Sequence, residues 1–255
     1  MSQRTRLWLV ALVVGGLFVA LPGAAIAETD TATSDTAVVD DEHTNFDKIK
    51  RRALNAIEKK LTVVKRLAHK VESSKTVTEE HAAKLLRDLH DAAEGLTELG
   101  RKIHAAETPE ELRELIGMIG DFKIHQVVKP KVLQVLASDR IVAATRHLAE
   151  FSNTLEMLIE RAAAAGYDVE RPKYLLAKMR RNIAAAYELA APVADKVIDL
   201  QPEDWPDPAK ETLAEGHRRL RAAVEHVHVA RKKARQIAHW LRNLADPPID
   251  LRELD

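Results

Sequence analysis

Apolar residues recur alternately three and four positions apart through the last long segment of the chain, from residue 213 to residue 244. This spacing places them on one face of an α-helix, which would then pack against other helices. At 1.5 Å per residue such a helix is about 50 Å long, and Pro247-Pro248 should terminate it. Several of the positions are Gly or Ala, which allows a neighbouring helix to approach closely. The series is Leu213, Gly216, Leu220, Ala223, Val227, Ala230, Ala234, Ile237, Leu241 and Leu244.

Two shorter series of the same kind predict a pair of helices earlier in the chain. The first helix is expected to begin with Thr44 as its N-cap and to close at Ser73-Ser74, and the second to begin with Thr78 as its N-cap. Because the connection between them is short, the two helices should form an antiparallel hairpin. Their apolar positions are Leu54, Ile57, Leu61, Val64, Ala68 and Val71 in the first, and Leu85, Leu89, Ala92, Leu96, Leu99 and Ile103 in the second.

Residues 120–136 carry the densest run of branched apolar side chains in the helical region, and Pro130 interrupts this run. A third helix is predicted to start at Thr108-Pro109-Glu110-Glu111, which supplies an N-cap, a first-turn proline and a capping box. It should stop or kink near Lys129, because Pro130 lacks an N–H donor and clashes with the preceding turn. The apolar residues around Pro130 should be buried by several helices at once; they are Phe122, Val127, Val128, Val132, Val135 and Leu136.

Two more helices are predicted before the last one. The fourth runs over about residues 130–165 and ends at Gly166, a residue suited to a left-handed C-terminal cap. The fifth begins near Asp168 or Pro172, and Pro192 should bend it or end it early. Their apolar faces contain Ile141, Thr145, Leu148, Ser152, Leu155, Ile159 and Ala162 in the fourth, and Leu176, Met179, Ile183, Ala186, Ala190, Val193 and Val197 in the fifth.

The segment 199–208 contains Pro202, Pro206 and Pro208, so it should be a loop, with Trp205 covering one end of the bundle. Aromatic residues make up only 4% of the chain, whereas Ala, Leu, Lys, Arg and Glu are abundant, which favours helices over sheets. The chain is therefore predicted to be all-α. We expect an elongated antiparallel bundle of about six coiled-coil-like helices over residues 45–246, followed by a C-terminal tail over residues 247–255.

The first residues of the chain have the pattern of a secretory signal peptide, predicted over residues 1–27. Two arginines precede an apolar run over residues 7–21, and Ala25-Ile26-Ala27 forms a small-residue site, so cleavage is expected after Ala27. The alternative is an uncleaved N-terminal anchor. Residues 28–44 are predicted to be an acidic, disordered linker, because they contain six acidic residues and no Lys or Arg. No membrane span is expected in the mature chain.

Three segments, KTVTEEH (75–81), GLTELGRKI (95–103) and VVKPKVLQVLASDR (127–140), resemble an uncharacterised set of secreted, all-helical hypothetical proteins of high-GC Gram-positive bacteria. The last helix, together with the LQPEDW segment (200–205) before it, is similar to the C-terminal part of the same set. The resemblance extends over most of the chain after residue 27. It implies export and an all-helical fold, and it brings no catalytic residue with it.

The sequence shows no pattern typical of a catalytic, cofactor-binding or metal site. The absence of Cys excludes thiol catalysis, disulfides and Cys-ligated metals. The eleven His include no two that are three or four residues apart, the spacing that places two ligands on one helix face. A Gly-rich phosphate loop and a Gly-x-Ser-x-Gly motif are also missing. Three acid–histidine pairs at such a spacing are predicted to be solvated or partly buried, namely Glu225 with His228, His90 with Glu94, and Asp121 with His125.

Two groups of charged residues each allow two interpretations. Asp139 and Arg140 interrupt an apolar run, either as an ion pair that fixes the register of a neighbouring helix or as a functional acid in a cleft near Pro130. Basic residues on the first and last helices form either a solvated face or a contact for an anionic envelope polymer or lipid headgroup. Arg219 is expected on the outer face. These basic residues are Lys48, Lys50, Arg51, Arg52, Lys59, Lys60, Lys65 and Arg66, and Arg218, Arg219, Arg221, Arg231, Lys232, Lys233 and Arg235.

We therefore expect a non-enzymatic, exported helical protein that acts by surface contact at or outside the cell envelope, secreted or associated with the envelope. Its partner would be an envelope component or another protein. Nucleic acid is disfavoured by export and by the scarcity of aromatic residues for stacking. The alternative is a small-ligand or metal carrier with a site around Phe122, His125 and Asp139, beside Pro130. The oligomeric state stays open.

Overall fold

The structure of the protein, a computed structural model, describes residues 41–244, with side chains from Asn45 onward. This part of the chain forms six α-helices and no strand, so the predicted all-α fold is confirmed. A π-helical turn, Ile124–Val128, leads directly into the fourth helix, and a short 3₁₀ turn, Pro202–Asp204, precedes the sixth. The helices are α1 (Asp41–Glu72), α2 (Glu79–Ala105), α3 (Pro109–Met118), α4 (Lys129–Ala164), α5 (Glu170–Val197) and α6 (Ala209–Arg242).

Several helix ends are fixed by the capping residues that the sequence predicts. The Thr78 side chain accepts a hydrogen bond from the His81 N–H, and Thr108 does the same for the third residue of α3. α4 ends at Gly166, whose φ of 87° is in the left-handed region. The Tyr167 N–H there reaches back to the Ala162 carbonyl, which completes a Schellman motif. These caps therefore set the boundaries of α2, α3 and α4.

α1 and α2 form the expected antiparallel hairpin. Lys50, near the start of α1, donates a hydrogen bond of 2.9 Å to the carbonyl of Ala106, just past the end of α2. Further along the pair, Ile57 packs against Gly100. The contacts pair early residues of α1 with late residues of α2, which defines the antiparallel direction.

α4, α5 and α6 form a three-helix bundle in which α5 is antiparallel to both of its neighbours. Ser138 in α4 donates to the Ala190 carbonyl in α5 at 2.8 Å, and Arg180 in α5 donates to the Ser152 hydroxyl further along α4. On the other side of α5, the His226 ring of α6 lies 2.9 Å from the Asn182 side chain. α4 and α6 consequently run in the same direction.

The apolar faces predicted from the sequence make up two buried clusters. The larger one combines α1, α2 and the π-turn with the first half of α4, the second half of α5 and the first half of α6, and Trp205 packs against it. The smaller one lies between the remaining halves of α4, α5 and α6. Every predicted position of the last helix from Leu213 to Leu241 is buried, and Leu244 packs against the smaller cluster just after α6 ends. Within residues 41–244, none of the helices has the length and apolar character required to cross a bilayer.

Two predicted boundaries are wrong by a few residues. α1 begins at Asp41, so Thr44 lies inside the helix and the last residues of the predicted linker are helical. The acidic composition of the predicted linker does not oppose a helix start, because the positive end of a helix dipole attracts acidic residues in general. α6 ends at Arg242, before residue 246, because Asn243 turns the chain with its N–H bonded to the Trp240 carbonyl. The predicted signal peptide, the rest of the linker and the tail with Pro247-Pro248 lie outside the described residues.

The break between the third and fourth helices lies at residues 119–123, several residues earlier than the predicted position near Lys129. α3 already ends at Met118, and the chain then turns through residues 119–123, where Lys123 has a φ of 42°. Pro130 instead follows the π-turn directly: the Lys129 N–H before it bonds to the Ile124 carbonyl, and helical structure continues through the proline into α4. The prediction of extensive burial here is confirmed, since Val127, Val128, Val132 and Val135 are all at most 4% exposed.

Pro192 does not end α5, which continues to Val197. A proline inside a helix leaves the carbonyl four residues earlier without its usual donor, here that of Glu188. Arg219 of α6 supplies the replacement. Its guanidinium donates to the Glu188 carbonyl at 2.9 Å and to the Leu189 carbonyl at 3.1 Å. The expectation that Arg219 lies freely on the outer face is therefore wrong, because its side chain is half-buried against α5.

The Gln134 side chain of α4 lies close to the backbone of α6 at Gly216. The buried Gln134 side chain donates to the Leu213 carbonyl at 2.8 Å, and its Oε1 has no hydrogen-bond partner. A Cβ at position 216 would lie 2.2 Å from this oxygen, so no larger residue fits without displacing Gln134.

Candidate functional site: an arginine-rimmed groove between α4 and α6

The residues predicted to form a site beside Pro130 do not come together. Phe122 packs towards Gly95 of α2, where an added Cβ would lie 2.7 Å from its ring. His125 is exposed beside Lys60, whereas Asp139 contacts the start of α2. Positions 125 and 139 are separated by about 20 Å along the helix axis, which their shared sequence neighbourhood does not reveal. The predicted carrier site is therefore not formed.

Asp139 has the structural role that the sequence allowed as one of its two interpretations. Its carboxylate is 7% exposed, lies 2.8 Å from His81 Nδ1 and accepts a hydrogen bond from the Thr78 N–H at 3.2 Å. The other ring nitrogen of His81 lies 3.6 Å from Asp195 of α5. These contacts fix the start of α2 against α4 and α5, so the register interpretation holds.

A second polar contact between the same elements was not found from the sequence. Lys131 is 1% exposed, and its ammonium group lies 2.6 Å from Asp88 of α2 and 2.7 Å from the Leu200 carbonyl after α5. The only sequence signal is a lysine within an otherwise apolar run. Because a carboxylate and a carbonyl satisfy this cation, the contact is structural and offers no free group to a ligand.

Four basic residues surround the π-turn and form a cluster that we call the π-turn cluster: Lys60, Lys123, His125 and Lys129. Burial lowers the pKa of Lys60, and the neighbouring Lys123 lowers it further. Burial also lowers the pKa of His125, with added repulsion from Lys60 and Lys129. The mutual repulsion indicates that no nearby acid among the described residues neutralises this cluster.

The lowered pKa of His125 predicts a loss of stability on acidification. As the pH falls, the unfolded chain takes up the proton at the ordinary His pKa of about 6.5, whereas the folded protein takes it up only at a lower pH. The free energy of unfolding should therefore fall as the pH drops through about 6.5 and reach its full loss below the lowered pKa. Because the ring is exposed, the effect should stay below about 1 kcal/mol. Urea denaturation of wild type and His125→Gln on both sides of this pH measures it, and parallel pH profiles for the two proteins would contradict it.

A cleft with a volume of about 570 Å³ lies between the middle of α4 and the second half of α6. We call it the α4–α6 groove. Its floor is apolar and consists largely of small side chains, while its rim is cationic. The floor contains Ala143, Ala144, Leu148, Phe151, Ala234 and Ala238, and the polar lining residues are Thr76, Arg140, His147, Arg231 and Arg235.

The groove begins where the α1–α2 hairpin ends. Thr76 belongs to the loop between α1 and α2, and two residues later the Thr78 N–H bonds to Asp139, the neighbour of Arg140. Up to this point the hairpin packs against α4 in the larger core cluster. Beyond it, the side of the bundle between α4 and α6 has no further helix of residues 41–244 to cover it. The small residues Ala143, Ala144 and Ala234 leave the space unfilled.

The three arginines on the rim of the groove lack acidic partners among the described residues. Within residues 45–244, neither a hydrogen bond nor an ion pair involves Arg140, Arg231 or Arg235. Burial lowers the pKa of Arg231, and the adjacent charge of Arg235 adds to this effect. The fourth basic residue, His147, lies 3.6 Å from the exposed Glu150. The groove therefore combines partial desolvation with uncompensated positive charge.

In a comparable groove between α4 and α5, an acidic side chain neutralises one of the lining arginines. Its volume is about 510 Å³, and it is lined in part by Arg180 and Arg146. There the Arg180 guanidinium makes two hydrogen bonds of 2.6 Å to the Glu156 carboxylate, which lowers the pKa of Glu156. Since its main cation is already paired, this groove has a weaker attraction for an external anion than the α4–α6 groove.

The remaining basic residues have mixed roles. Lys50 bonds to the Ala106 carbonyl, Arg218 pairs with Glu215 at 2.7 Å, and Arg219 caps the interruption at Pro192. The sequence placed basic residues on α6 but could not tell which were already paired. Only the structure separates Arg231 and Arg235 from the rest.

No group of three or more His, Asp or Glu side chains suited to a metal ion occurs in the described part of the chain. Glu225 and His228 are exposed, and His90 pairs with Glu94 at 3.2 Å on the surface of α2.

Comparisons of the chain with protein-family models, curated proteins and solved structures gave no match. The resemblance noted in the sequence therefore stays a prediction.

Proposed function

We propose that the protein is an exported, non-enzymatic helical protein that acts at the cell envelope by binding anionic lipid. The observation that carries this proposal is the set of three unpaired arginines, Arg140, Arg231 and Arg235, around one apolar groove. A guanidinium group recognises phosphate or carboxylate through paired hydrogen bonds, and it does so most strongly where it is partly desolvated. The signal-peptide pattern of residues 1–27 supports a location where such lipids are accessible.

Lipid fits this surface better than an anionic polymer does. A polymer of phosphates or carboxylates offers charge alone and would leave the alanine-lined floor in contact with water. A lipid offers charge and apolar surface together, as the groove does. The π-turn cluster adds uncompensated positive charge elsewhere on the molecule and would strengthen attraction to an anionic membrane surface, at about 1 kcal/mol per cation close to the headgroups.

The proposal predicts that binding to anionic vesicles depends on the rim of the groove. The double variant Arg231→Gln/Arg235→Gln should bind phosphatidylglycerol vesicles at least tenfold more weakly than wild type, since each lost cation is worth about 1 kcal/mol. Co-sedimentation at low and high salt measures the affinity, with phosphatidylcholine vesicles as the uncharged reference.

Arg221→Gln/Lys232→Gln is the matched control for this experiment. Both residues are exposed on α6 outside the groove, so the change removes the same net charge from the same helix. This variant should keep most of the affinity. Equal losses in the two double variants, or the same binding to both kinds of vesicle, would contradict a role for the groove.

Export is tested separately by sequencing the N-terminus of the protein recovered from the culture medium or cell envelope. The sequence should begin at Glu28. A protein that begins at Met1, or inside residues 7–21, would show that the leader is not cleaved as proposed.

A further inference from the structure

We propose that the α4–α6 groove binds one molecule of a single-chain anionic amphiphile, with the hydrocarbon chain along the groove floor and the acid on the rim arginines. This inference rests on the proposed function and specifies the ligand class for the same site. It differs from adsorption to a membrane surface, because the ligand is taken up as a monomer. The protein would then hold individual acyl chains in addition to contacting a bilayer.

The floor of the groove provides the surface for the chain. Ala143, Ala144 and Ala234 are the smallest side chains that still present a methyl group, and they face one another across two parallel helices. Leu148 and Phe151 extend the apolar surface beyond them. A volume of about 570 Å³ lies within the range of pockets that enclose small ligands, which is roughly 300–1,000 Å³. An aqueous anion without a chain would leave this surface exposed.

The rim of the groove provides the site for the acid. Arg231 and Arg235 are four residues apart on α6, so they project from the same helix face, and Arg140 stands on the opposite helix. Burial and the charge of Arg235 both disfavour the cation at Arg231. A phosphate or carboxylate between these groups would relieve the repulsion and would form charge-assisted hydrogen bonds. Charge complementarity therefore favours an acidic amphiphile over a neutral one.

The first test is calorimetric titration of the mature protein with dodecyl phosphate below its micellar concentration. We expect one ligand per chain. Decyl phosphate, shorter by two methylene groups, should bind roughly tenfold more weakly, as expected from the transfer of each methylene out of water. Inorganic phosphate and the uncharged dodecyl maltoside should each bind at least tenfold more weakly than dodecyl phosphate, because each lacks one of the two features recognised. Equal affinity for the dodecyl and decyl compounds would overturn the inference.

The second test fills the groove. Ala144→Phe places a large side chain on the floor and should reduce dodecyl phosphate binding at least tenfold. Vesicle binding should fall by a smaller factor, because the rim arginines and the π-turn cluster still attract the anionic headgroups. Ala184→Phe is the matched control, because Ala184 is an exposed alanine lining the α4–α5 groove, and it should change neither. Thermal unfolding of both variants verifies that they fold. If Ala144→Phe does not fold, the comparison of dodecyl and decyl phosphate on the wild-type protein still tests the inference.

The outcomes separate this inference from the proposed function. If anionic vesicles bind but dodecyl phosphate binds Ala144→Phe as well as wild type, the groove does not hold the chain, and only the surface contact remains. If neither vesicles nor dodecyl phosphate bind, both proposals fail. Sedimentation velocity tests a different occupant: a dimer of wild type that Ala144→Phe dissociates would show that a second copy of the chain fills the groove, and would overturn the inference.

Discussion

Leu220→Asp is expected to unfold most of the protein. Leu220 is 2% exposed in the first half of α6, within the larger core cluster that joins α6 to the other helices. An aspartate there would bury a carboxylate with no cation facing it, which costs several kcal/mol. The total stability of a domain is about 5–15 kcal/mol, so this single change removes a large part of it. Loss of the cooperative thermal transition in the helical circular dichroism signal would confirm the expectation.

Arg221→Asp is the control for this prediction, and Arg219→Asp is not. Sequence spacing alone places both arginines off the buried face and predicts a shift of less than about 1 kcal/mol for either. Arg219, however, donates to the Glu188 and Leu189 carbonyls, so its replacement leaves the gap at Pro192 unsatisfied. We therefore expect a negligible change for Arg221→Asp and an intermediate loss for Arg219→Asp. If Leu220→Asp and Arg221→Asp lowered the melting temperature equally, the assignment of the buried face of α6 would be wrong.

The parts of the fold that were predictable are those determined by nearby residues. The buried face of α6 follows from a spacing of three and four, because a helix places such positions on one side whatever its neighbours are. Thr78 and Thr108 fix helix starts through hydrogen bonds within one turn, and Gly166 fixes the end of α4 by its left-handed backbone. Each of these determinants involves only residues that are close together in the sequence.

The errors around prolines have a different origin. Pro130 and Pro192 were both expected to interrupt helices, since each removes a backbone donor. At Pro130 the interruption had already occurred at residues 119–123, and the π-turn just before the proline leads without a break into α4. At Pro192 a side chain from another helix, Arg219, supplies the donor. Whether a proline ends a helix thus depends on groups that its own sequence neighbourhood does not contain.

The candidate site could not be predicted from the sequence for the same reason. Residues 140–151 and residues 231–238 are far apart in the chain, and only the packing of α4 beside α6 brings their alanines and arginines to one groove. The sequence located the basic residues of α6 correctly. It could not show that Glu156 neutralises Arg180 in one groove while Arg231 stays unpaired in the other. Pairing between helices is a property of three-dimensional packing.

The buried ion pair between Lys131 and Asp88 gives the second large prediction. Removing only the acid, in Asp88→Ala, should cost about 3 kcal/mol or more, because the cation stays buried with only the Leu200 carbonyl as a partner. Removing the cation, in Lys131→Met, should cost clearly less. An apolar chain of similar length fills the same space, and Asp88, which is 19% exposed, can turn towards water.

Urea denaturation of the two single variants and of Asp88→Ala/Lys131→Met provides the measurement. The double variant should be more stable than Asp88→Ala alone, since it no longer buries an unpaired charge. A larger loss for Lys131→Met than for Asp88→Ala would show that the lysine acts mainly through the Leu200 carbonyl, holding the loop after α5 against α4. The ion pair with α2 would then be secondary, and the attachment of the α1–α2 hairpin would depend chiefly on Asp139 and His81.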